Sequence, residues 1–294
     1  MAADGIRTPN PVGVRVILIT SGVVACALAW GALGLGLSDL VPTSGGLSLA
    51  GRFFARAFSP AWQSEARFVP DGTPPLLEVA FEATLQTLIL GAAAMSLALV
   101  LGLALGFAAS SAWWSGAGPE SRRGVYGMLR RSFLPFLCGA SRLLIVVMRS
   151  VHELLWAVLF LAAVGLNDLA AVFALAIPYG GVLAKIFSEL VDEAPRESAR
   201  SLRGLGASGL QTYWFALIPR ALPDMVAYGF YRFECILRSS AVLGFFGFPT
   251  LGLYIRQSFN ATNYGEVWTF LYALLILVVA ADAWSGAVRK RVLA

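Results

Sequence analysis

The sequence Gly204-Leu205-Gly206-Ala207-Ser208 is a short stretch between two strongly apolar runs, and Pro219 follows thirteen residues after Gly206. Because the flanking runs are long enough to cross a bilayer, we expect this stretch to lie in a loop on one side of a membrane. Pro195 and Glu197 favour the start of a short helix before it, and the glycines favour its end. The sequence therefore predicts a rigid helical element at the membrane surface.

The composition is that of a membrane protein. Of the 294 residues, 58% are hydrophobic and 13% are charged, against about 25% charged in soluble domains. The mean hydropathy is +0.73. Several apolar runs exceed the length of about 18 residues that a membrane-spanning helix requires. We therefore predict an all-α, polytopic membrane protein.

The net charge of +5 does not indicate a nucleic-acid partner, because the basic residues follow the predicted membrane topology. Cys26, Cys138 and Cys235 are far apart and lie in or beside apolar segments. They are interpreted as small buried hydrophobic residues, and not as a disulfide framework or a metal site. The chain has one histidine, which excludes a metal cluster built from histidines.

Six membrane spans are predicted from the apolar runs, at residues 14–37, 77–109, 143–166, 169–190, 214–237 and 267–288. Lys and Arg concentrate in the segments that share a side with the N-terminus, so both termini are predicted to be cytoplasmic. The resulting organisation is a cytoplasmic N-tail at 1–13, a first span at 14–37, an external segment at 38–76, a core domain at 77–288 and a cytoplasmic C-tail at 289–294. The core contains five spans and a cytoplasmic loop at 192–213.

Two segments are predicted to lie outside. Residues 38–76 contain Pro, Gly and Ser clusters around an amphipathic piece at 49–58. Residues 238–266 contain too many glycines and prolines for one regular helix, yet they are strongly apolar around Phe245 and Phe248. Irregular backbone at membrane depth is tolerated only where protein or water covers it. The second segment is therefore predicted to pack inward near the outer mouth of a pathway.

The loop at 192–213 resembles the EAA loop of type I ABC importers, whose pattern is Glu-Ala-Ala, three residues, Gly, nine residues and Ile-x-Leu-Pro. Aligning Gly206 with the glycine of this pattern places Pro219 at its proline, Ile218 at its leucine and Ala216 at its isoleucine. The chain departs from the pattern at Arg200-Ser201-Leu202, which occupies the Glu-Ala-Ala positions. The nearest glutamate, Glu197, lies one turn earlier, so either Arg200 or Glu197 could contact the ATPase.

The resemblance implies the type I ABC importer permease fold in the bacterial cytoplasmic (inner) membrane, with residues 77–288 as the core permease domain, and a coupling role for this loop. The implied ATPase-coupling residues are Glu197, Ala199, Arg200, Arg203, Gly204, Gly206, Ala207, Ser208 and Pro219. The chain contains no Gly-x-x-x-x-Gly-Lys-Ser/Thr motif, so no P-loop of its own is expected. We therefore expect a non-catalytic permease with no cofactor, whose partner ATPase dimer holds ATP and Mg.

Three charges lie at or near the end of the fifth apolar run. Glu234 and Arg238 are four residues apart, so they share a helix face and can pair. Ionisable groups inside a membrane cost about 2.5–3.5 kcal/mol each on insertion scales and usually face a cavity or a partner. Two interpretations stay open, namely a structural ion pair and an anion route lined by Arg232 or Arg238, since guanidinium groups suit phosphate-like oxygens.

The stretches Tyr231-Arg232-Phe233-Glu234, Arg238-Ser239 and Val242-Leu243-Gly244 resemble the permease subunit of phosphonate-type ABC importers, as does Arg149 to Ala157. The chain departs from that family at 247–252, where Gly-Phe-Pro-Thr-Leu-Gly stands in place of Gly-Ala-Gly-Gly-Ile-Gly. The resemblance implies import of phosphonate, phosphite or a related small oxyanion. The candidate pathway residues are Arg149, His152, Glu153, Arg232, Glu234, Arg238 and Ser239.

The implied partners are an ABC ATPase dimer, a second permease subunit that is identical or homologous, an extracytoplasmic substrate-binding protein and membrane lipid. Within the superfamily, the alternative solutes are amino acids and osmoprotectants. An ion-driven secondary transporter is the main alternative from another class, because intramembrane charges could couple ion flow. A membrane scaffold that transports nothing would leave those charges unexplained.

Overall fold

The computed structural model describes residues 11–34, 36, 41–66, 70, 72–113 and 125–293. Predicted tail residues 1–10 and 294, and the predicted end of the first span at 37, lie outside them. The α-helices are α1 Pro11–Ala32, α2 Ser44–Ala55, α3 Leu76–Ala109, α4 Val125–Ser150, α5 Glu153–Val164, α6 Asp168–Glu193, α7 Glu197–Gly204, α8 Gly209–Thr212, α9 Ile218–Val242, α10 Leu251–Asn260 and α11 Tyr264–Leu293. Short 3-10 segments lie at Arg56–Phe58 and Leu243–Phe246, and one π-helical turn at Tyr213–Leu217. No strand occurs among the described residues.

The helices confirm the predicted all-α membrane fold. Within the described residues, five helices are long and apolar enough to cross a membrane, and six if the bent pair Gly209–Phe246 and Leu251–Asn260 is one span. The chain divides into two units, residues 1–55 and 56–294. The first unit contains α1 and α2, and the second contains the remaining helices.

Helices α3 and α6 form the centre of the second unit and approach each other through small residues. A Cβ atom added at Gly102 would lie 2.7 Å from Leu183 Cβ, and one added at Gly106 would lie 3.2 Å from the carbonyl oxygen of Ala184. In the opposite direction, a Cβ at Gly180 would lie 3.0 Å from Leu101 Cβ. Small residues at such contacts let membrane helices pack closely, where lipid removes most of the hydrophobic driving force.

The structure differs from the predicted span at 143–166, which is broken into two helices. Helix α4 ends at Ser150, and α5 begins at Glu153 after a turn. The His152 side chain caps α5, because its Nδ1 accepts a hydrogen bond from the Leu154 N–H at 3.3 Å. Gly165, with φ of +85°, then ends α5. Hydropathy did not predict this break, because it does not detect a helix cap that lies within an apolar run.

The segment at 238–266 is more helical than its composition predicts, although it is interrupted. Gly247 takes φ of +104° between the 3-10 turn and α10. Thr87 of α3 holds this interruption with two hydrogen bonds. Its hydroxyl accepts one from the Leu251 N–H at 3.1 Å, and its carbonyl oxygen accepts the other from Ser240 Oγ at 3.0 Å. A side chain at Gly244 would collide with the backbone of Leu253. These contacts fold the segment inward against α3.

Residues 56–66 are attached to the start of α11 by a set of contacts that we call the clasp. Glu266 is 6% exposed, and its Oε1 accepts from Ser64 Oγ at 2.9 Å and from the Glu65 N–H at 2.6 Å. Its Oε2 accepts from Ser258 Oγ at 2.8 Å. Thr269 Oγ1 donates to the carbonyl oxygen of Ala61 at 2.6 Å. A buried carboxylate is tolerated here because hydrogen-bond donors surround it.

We predict that Gly102→Val lowers the stability of the purified protein by about 1–3 kcal/mol, because its side chain overlaps Leu183 where α3 meets α6. The measurement is thermal unfolding in detergent. Gly139→Val is the matched control, since a Cβ at Gly139 of α4 meets no atom within 4 Å. Equal melting temperatures for the two variants would contradict the close α3–α6 contact.

Candidate functional site

The predicted coupling segment is a short helix, α7, followed by a sharp turn. Gly206 takes φ of +89°, and the N–H groups of Gly206 and Ala207 donate to the carbonyl oxygens of Arg203 at 3.0 Å and Leu202 at 3.1 Å. This pair of bonds is a Schellman motif, which ends a helix with a left-handed residue. A Cβ at Gly206 meets no atom of this chain within 4 Å. Glycine is therefore required here by its backbone conformation and not by crowding within the chain.

The turn continues directly into α8. Ser208 and Gln211 form a capping box, in which Gln211 N–H donates to Ser208 Oγ at 3.3 Å and Ser208 N–H donates to Gln211 Oε1 at 2.8 Å. The π-helical turn Tyr213–Leu217 follows. Pro219 lies at its end and has no N–H to donate, which favours a local change in the helical bonding pattern. The whole segment is thus held by local hydrogen bonds.

The predicted ATPase-coupling residues of this segment differ in their exposure to solvent. Glu197, Arg200, Gly204, Gly206, Ser208 and Pro219 are exposed, Arg203 and Ala207 are half-buried, and Ala199 is buried. Leu205 at the tip is 87% exposed, and sequence reasoning gave it no role. The sequence signal that could have identified Leu205 is its position between Gly204 and Gly206. An exposed leucine on a rigid turn offers an apolar contact to a partner groove.

Asp192, at the end of α6, joins the ends of the surrounding helices. Its carboxylate accepts hydrogen bonds from Ser110 Oγ at 2.7 Å and from the backbone N–H groups of Ser111 and Ala112 at 3.1 Å. It also lies 3.8 Å from the Arg142 guanidinium of α4. The carboxylate therefore satisfies the N–H donors of the segment that follows α3, where the helical hydrogen-bond pattern has ended.

The coupling segment is tied to the same place. Arg203 Nη2 of α7 donates to the carbonyl oxygen of Ala112 at 3.2 Å, and Arg196 Nη2 donates to the carbonyl oxygen of Asp192. A side chain at Gly209 would collide with the backbone of Trp113. We call Asp192 with residues 110–113 the hub. These contacts connect α7 and α8 through the hub to the ends of α3 and α6.

A second polar group lies inside the membrane-spanning helices. Tyr179 OH of α6 lies 2.9 Å from Ser239 Oγ of α9, and Ser239 Oγ donates to Glu153 Oε1 at 3.0 Å. The other carboxylate oxygen of Glu153 lies 3.6 Å from His152 Nε2. The structure thus brings together three of the predicted pathway residues, His152, Glu153 and Ser239. The structure adds Tyr179, which the sequence reasoning did not single out because α6 is largely apolar.

Arg232 lies close to this group and is held by aromatic side chains. Its Nε donates to Tyr228 OH at 2.8 Å, and its guanidinium lies 5.2 Å and 5.7 Å from the ring centroids of Tyr228 and Tyr231. Cation–π contact of this kind stabilises a cation where water is scarce. Arg149, at the end of α4, is exposed.

The structure does not form the Glu234–Arg238 ion pair, which was one of the two interpretations that the sequence left open. Glu234 Oε1 lies 3.9 Å from Arg289 Nη2 of α11, and its side chain is 12% exposed. Arg238 is exposed, and its Nη2 donates to Cys235 Sγ at 3.8 Å. Helical spacing allowed the pair, but the packing of α9 on α11 turns Glu234 towards a different arginine.

One face of α9 is polar and exposed in the isolated chain. Arg220, Asp224, Tyr231 and Arg238 are all exposed, and they share this face because successive helical residues are rotated by about 100°. Ionisable side chains within a membrane span face protein or a water-filled cavity. This polar face of α9 is therefore a surface for another subunit or an aqueous pathway.

The described part of the chain contains no group of three or more His, Cys, Asp or Glu that could hold a metal ion. The chemistry that the arrangement supports is hydrogen bonding and charge attraction. Arg149, Arg232 and Arg238 supply cations, while the Glu153 carboxylate and the Tyr179 and Ser239 hydroxyls supply orienting polar groups.

Comparison with known proteins identifies relatives. A family model described as "Binding-protein-dependent transport system inner membrane component" matches residues 125–293. The phosphite transport system permease protein PtxC of Stutzerimonas stutzeri is 36% identical over 159 residues, which are 53% of this chain and 57% of that protein. The phosphate-import permease protein PhnE of Mycolicibacterium smegmatis is 29% identical over 225 residues, 76% of this chain and 39% of that protein. The chain thus spans less than two thirds of the length of either relative.

The fold also has counterparts among solved structures. A chain of the MetNI methionine ABC transporter, in inward-facing conformations, superimposes with a TM-score of 0.60 at 19% sequence identity. The match covers 74% of this chain and 97% of that chain. This agreement shows the predicted ABC importer permease fold.

We predict that Asp192→Asn destabilises the protein by about 1–3 kcal/mol, because the hub loses a charged acceptor for three neighbouring donors. Thermal unfolding in detergent measures the change. Glu193→Gln is the matched control, since the adjacent carboxylate is exposed. A melting temperature unchanged in Asp192→Asn would show that the hub does not depend on this charge.

Proposed function

The chain belongs to the family of binding-protein-dependent transport system inner membrane components, and from this premise we propose that it is the transmembrane subunit of an ATP-driven importer of phosphite, phosphonate or a related small oxyanion. Members of this family are transport permeases of the inner membrane, and this chain is accordingly a multi-pass inner-membrane protein. The observation that carries the proposal is the capped coupling helix α7, joined by the hub to the spans of such a permease.

The substrate class is supported by the named relatives and by the intramembrane charges. The relatives of known name are described as phosphite and phosphate permeases. Arg232 and Arg238 lie on α9, which also carries Ser239 of the Tyr179–Ser239–Glu153 group, and Arg149 supplies a further cation at the end of α4. Guanidinium groups recognise phosphate-like oxygens through paired N–H donors. We propose that these arginines attract the anion as it crosses.

The pathway is proposed to lie between two permease subunits, identical or homologous, that meet across the polar face of α9. The exposed Arg238 and Tyr231 support this placement, because lipid is a poor environment for them. With both termini in the cytoplasm, residues 192–213 face the interior of the cell. The clasp and residues 238–266 then lie on the outside, where a soluble binding protein would deliver the anion.

Energy is proposed to come from partner ATPase subunits that bind ATP and Mg, while this chain catalyses no reaction. The exposed tip of α7, with Leu205 between two glycines, provides the contact. When the ATPases close on ATP, the two α7 helices are drawn together. The hub passes this motion to α3 and α6, so that the pathway alternates between two discrete states.

We predict that Gly206→Ala weakens coupling to the ATPase. Alanine at φ of +89° is strained by about 1–2 kcal/mol, which displaces the tip that carries Leu205. Co-purification of the ATPase and anion uptake should both fall. Gly72→Ala is the matched control, because Gly72 also has φ of +89° and open space around its Cβ position. It introduces similar strain outside the coupling segment and should retain ATPase binding; equal loss in both variants would contradict the proposed contact.

We predict that Arg238→Ala lowers anion uptake at least tenfold, whereas Arg238→Lys retains part of it, because charge rather than shape attracts the anion first. Uptake of labelled phosphite, with phosphonate and phosphate as competitors, measures both effects. Glu234→Gln should lower thermal stability through its Arg289 contact and leave the order of competitors unchanged. Normal uptake by assembled Arg238→Ala would remove this arginine from the pathway.

A further inference from the structure

We infer that an apolar cavity between α3, α9 and α11 binds one acyl chain of a membrane phospholipid. The cavity has a volume of about 540 Å³, within the range of about 300–1,000 Å³ typical of small-molecule pockets. Met95 and Leu103 of α3, Gly229 and Phe233 of α9, and Trp284 of α11 are among the residues that line it. Its wall contains almost no polar atoms, so it does not suit an oxyanion.

The cavity opens sideways on the surface of the second unit. Leu103, Leu222 and Trp284 at its rim are 51%, 48% and 55% exposed. Leu103 and Leu222 lie near the helix ends that adjoin the coupling segment and the hub. The opening is therefore in the half of the membrane next to residues 192–213, at the depth where acyl chains leave their headgroups.

The direction of the opening favours lipid over a second permease. Leu222, Gly229 and Phe233 line the cavity, and they lie on the side of α9 about 180° from Arg220 and Arg238 at about 100° per residue. If the polar face of α9 meets the second subunit, as proposed above, the cavity lies on the side of α9 that points away from that subunit. The choice of occupant rests on that pairing.

An acyl chain fits the chemistry of such a cavity. An empty apolar cavity forgoes the dispersion contacts of its wall, and water is excluded where no polar partners exist. A flexible hydrocarbon chain restores those contacts at no cost in hydrogen bonds. The acyl chain also fills the space between α3 and α9 near the hub, through which α7 is connected to the spans.

Gly229 allows the cavity to be filled by substitution. A Cβ at this position meets only the Met95 Cε atom, at 3.9 Å, so Gly229→Leu extends into the cavity without backbone collision. Ser96→Phe fills the same space from α3, where Ser96 is exposed at the rim. Gly139→Leu is the matched control, because its Cβ position on α4 is open and lies outside the cavity.

The test is native mass spectrometry of the full chain, purified in mild detergent with whatever subunits accompany it. We expect one retained phospholipid per chain in the unsubstituted protein and in Gly139→Leu, and loss of that lipid in Gly229→Leu and Ser96→Phe. Retention of the lipid in both filled variants, or its absence from the unsubstituted protein, would overturn the proposal. Loss of the second permease instead of lipid would show that protein covers this face.

A second measurement locates the lipid. Phosphatidylcholine with brominated acyl chains is titrated into the delipidated protein in detergent, and the fluorescence difference from Trp284→Phe reports Trp284. Saturable quenching at one lipid per chain is expected, with loss in Gly229→Leu; quenching without saturation would contradict a discrete site. Neither readout depends on uptake, so failure here is distinguishable from failure of the importer function, which the accompanying ATPase reports.

Discussion

The close approach of α3 to α6 is the contact on which the other features depend. Glycines at 102, 106 and 180 leave no room for side chains between the two backbones, so the helices are fixed in rotation and depth. This register carries the end of α3 to Asp192, and the Asp192 carboxylate then satisfies the donors that follow that end. The same register places Tyr179 opposite Ser239 of α9. A single interface of small residues thus positions both the hub and the intramembrane polar group.

The helices and the coupling segment could be predicted because their signals are local. Apolar runs locate spans, and a glycine followed at a fixed distance by Pro219 locates α7 and the start of α9. The break before Glu153 could not be predicted, since it depends on a histidine cap inside an apolar run. Asp192 and Tyr179 also escaped notice, because their partners are distant in sequence. Glu234 illustrates the limit of helical spacing, which offered Arg238 while packing selected Arg289.

The two sides of α9 differ in polarity and have different surroundings. The polar face bears Arg238 and Tyr231, exposed in the isolated chain, and the opposite side contributes Gly229 and Phe233 to an apolar cavity. Such division lets a membrane helix contact an aqueous route and hydrocarbon simultaneously. Since α9 begins immediately after the coupling segment, a rotation imposed at Pro219 moves both sides together. Under the proposed arrangement, the pathway side and the cavity side of α9 therefore move as one.

The clasp has a consequence for how the chain is made. Ser64 and Glu266 are 202 positions apart in the sequence, so the Glu266 carboxylate reaches its donors only after the intervening chain has been synthesised. Until then, residues 56–66 lack the partners on α11 that order them, and closing so long a loop carries an entropic cost. Insertion of α11 therefore closes this long loop, and a chain interrupted before residue 266 lacks the carboxylate that orders residues 56–66.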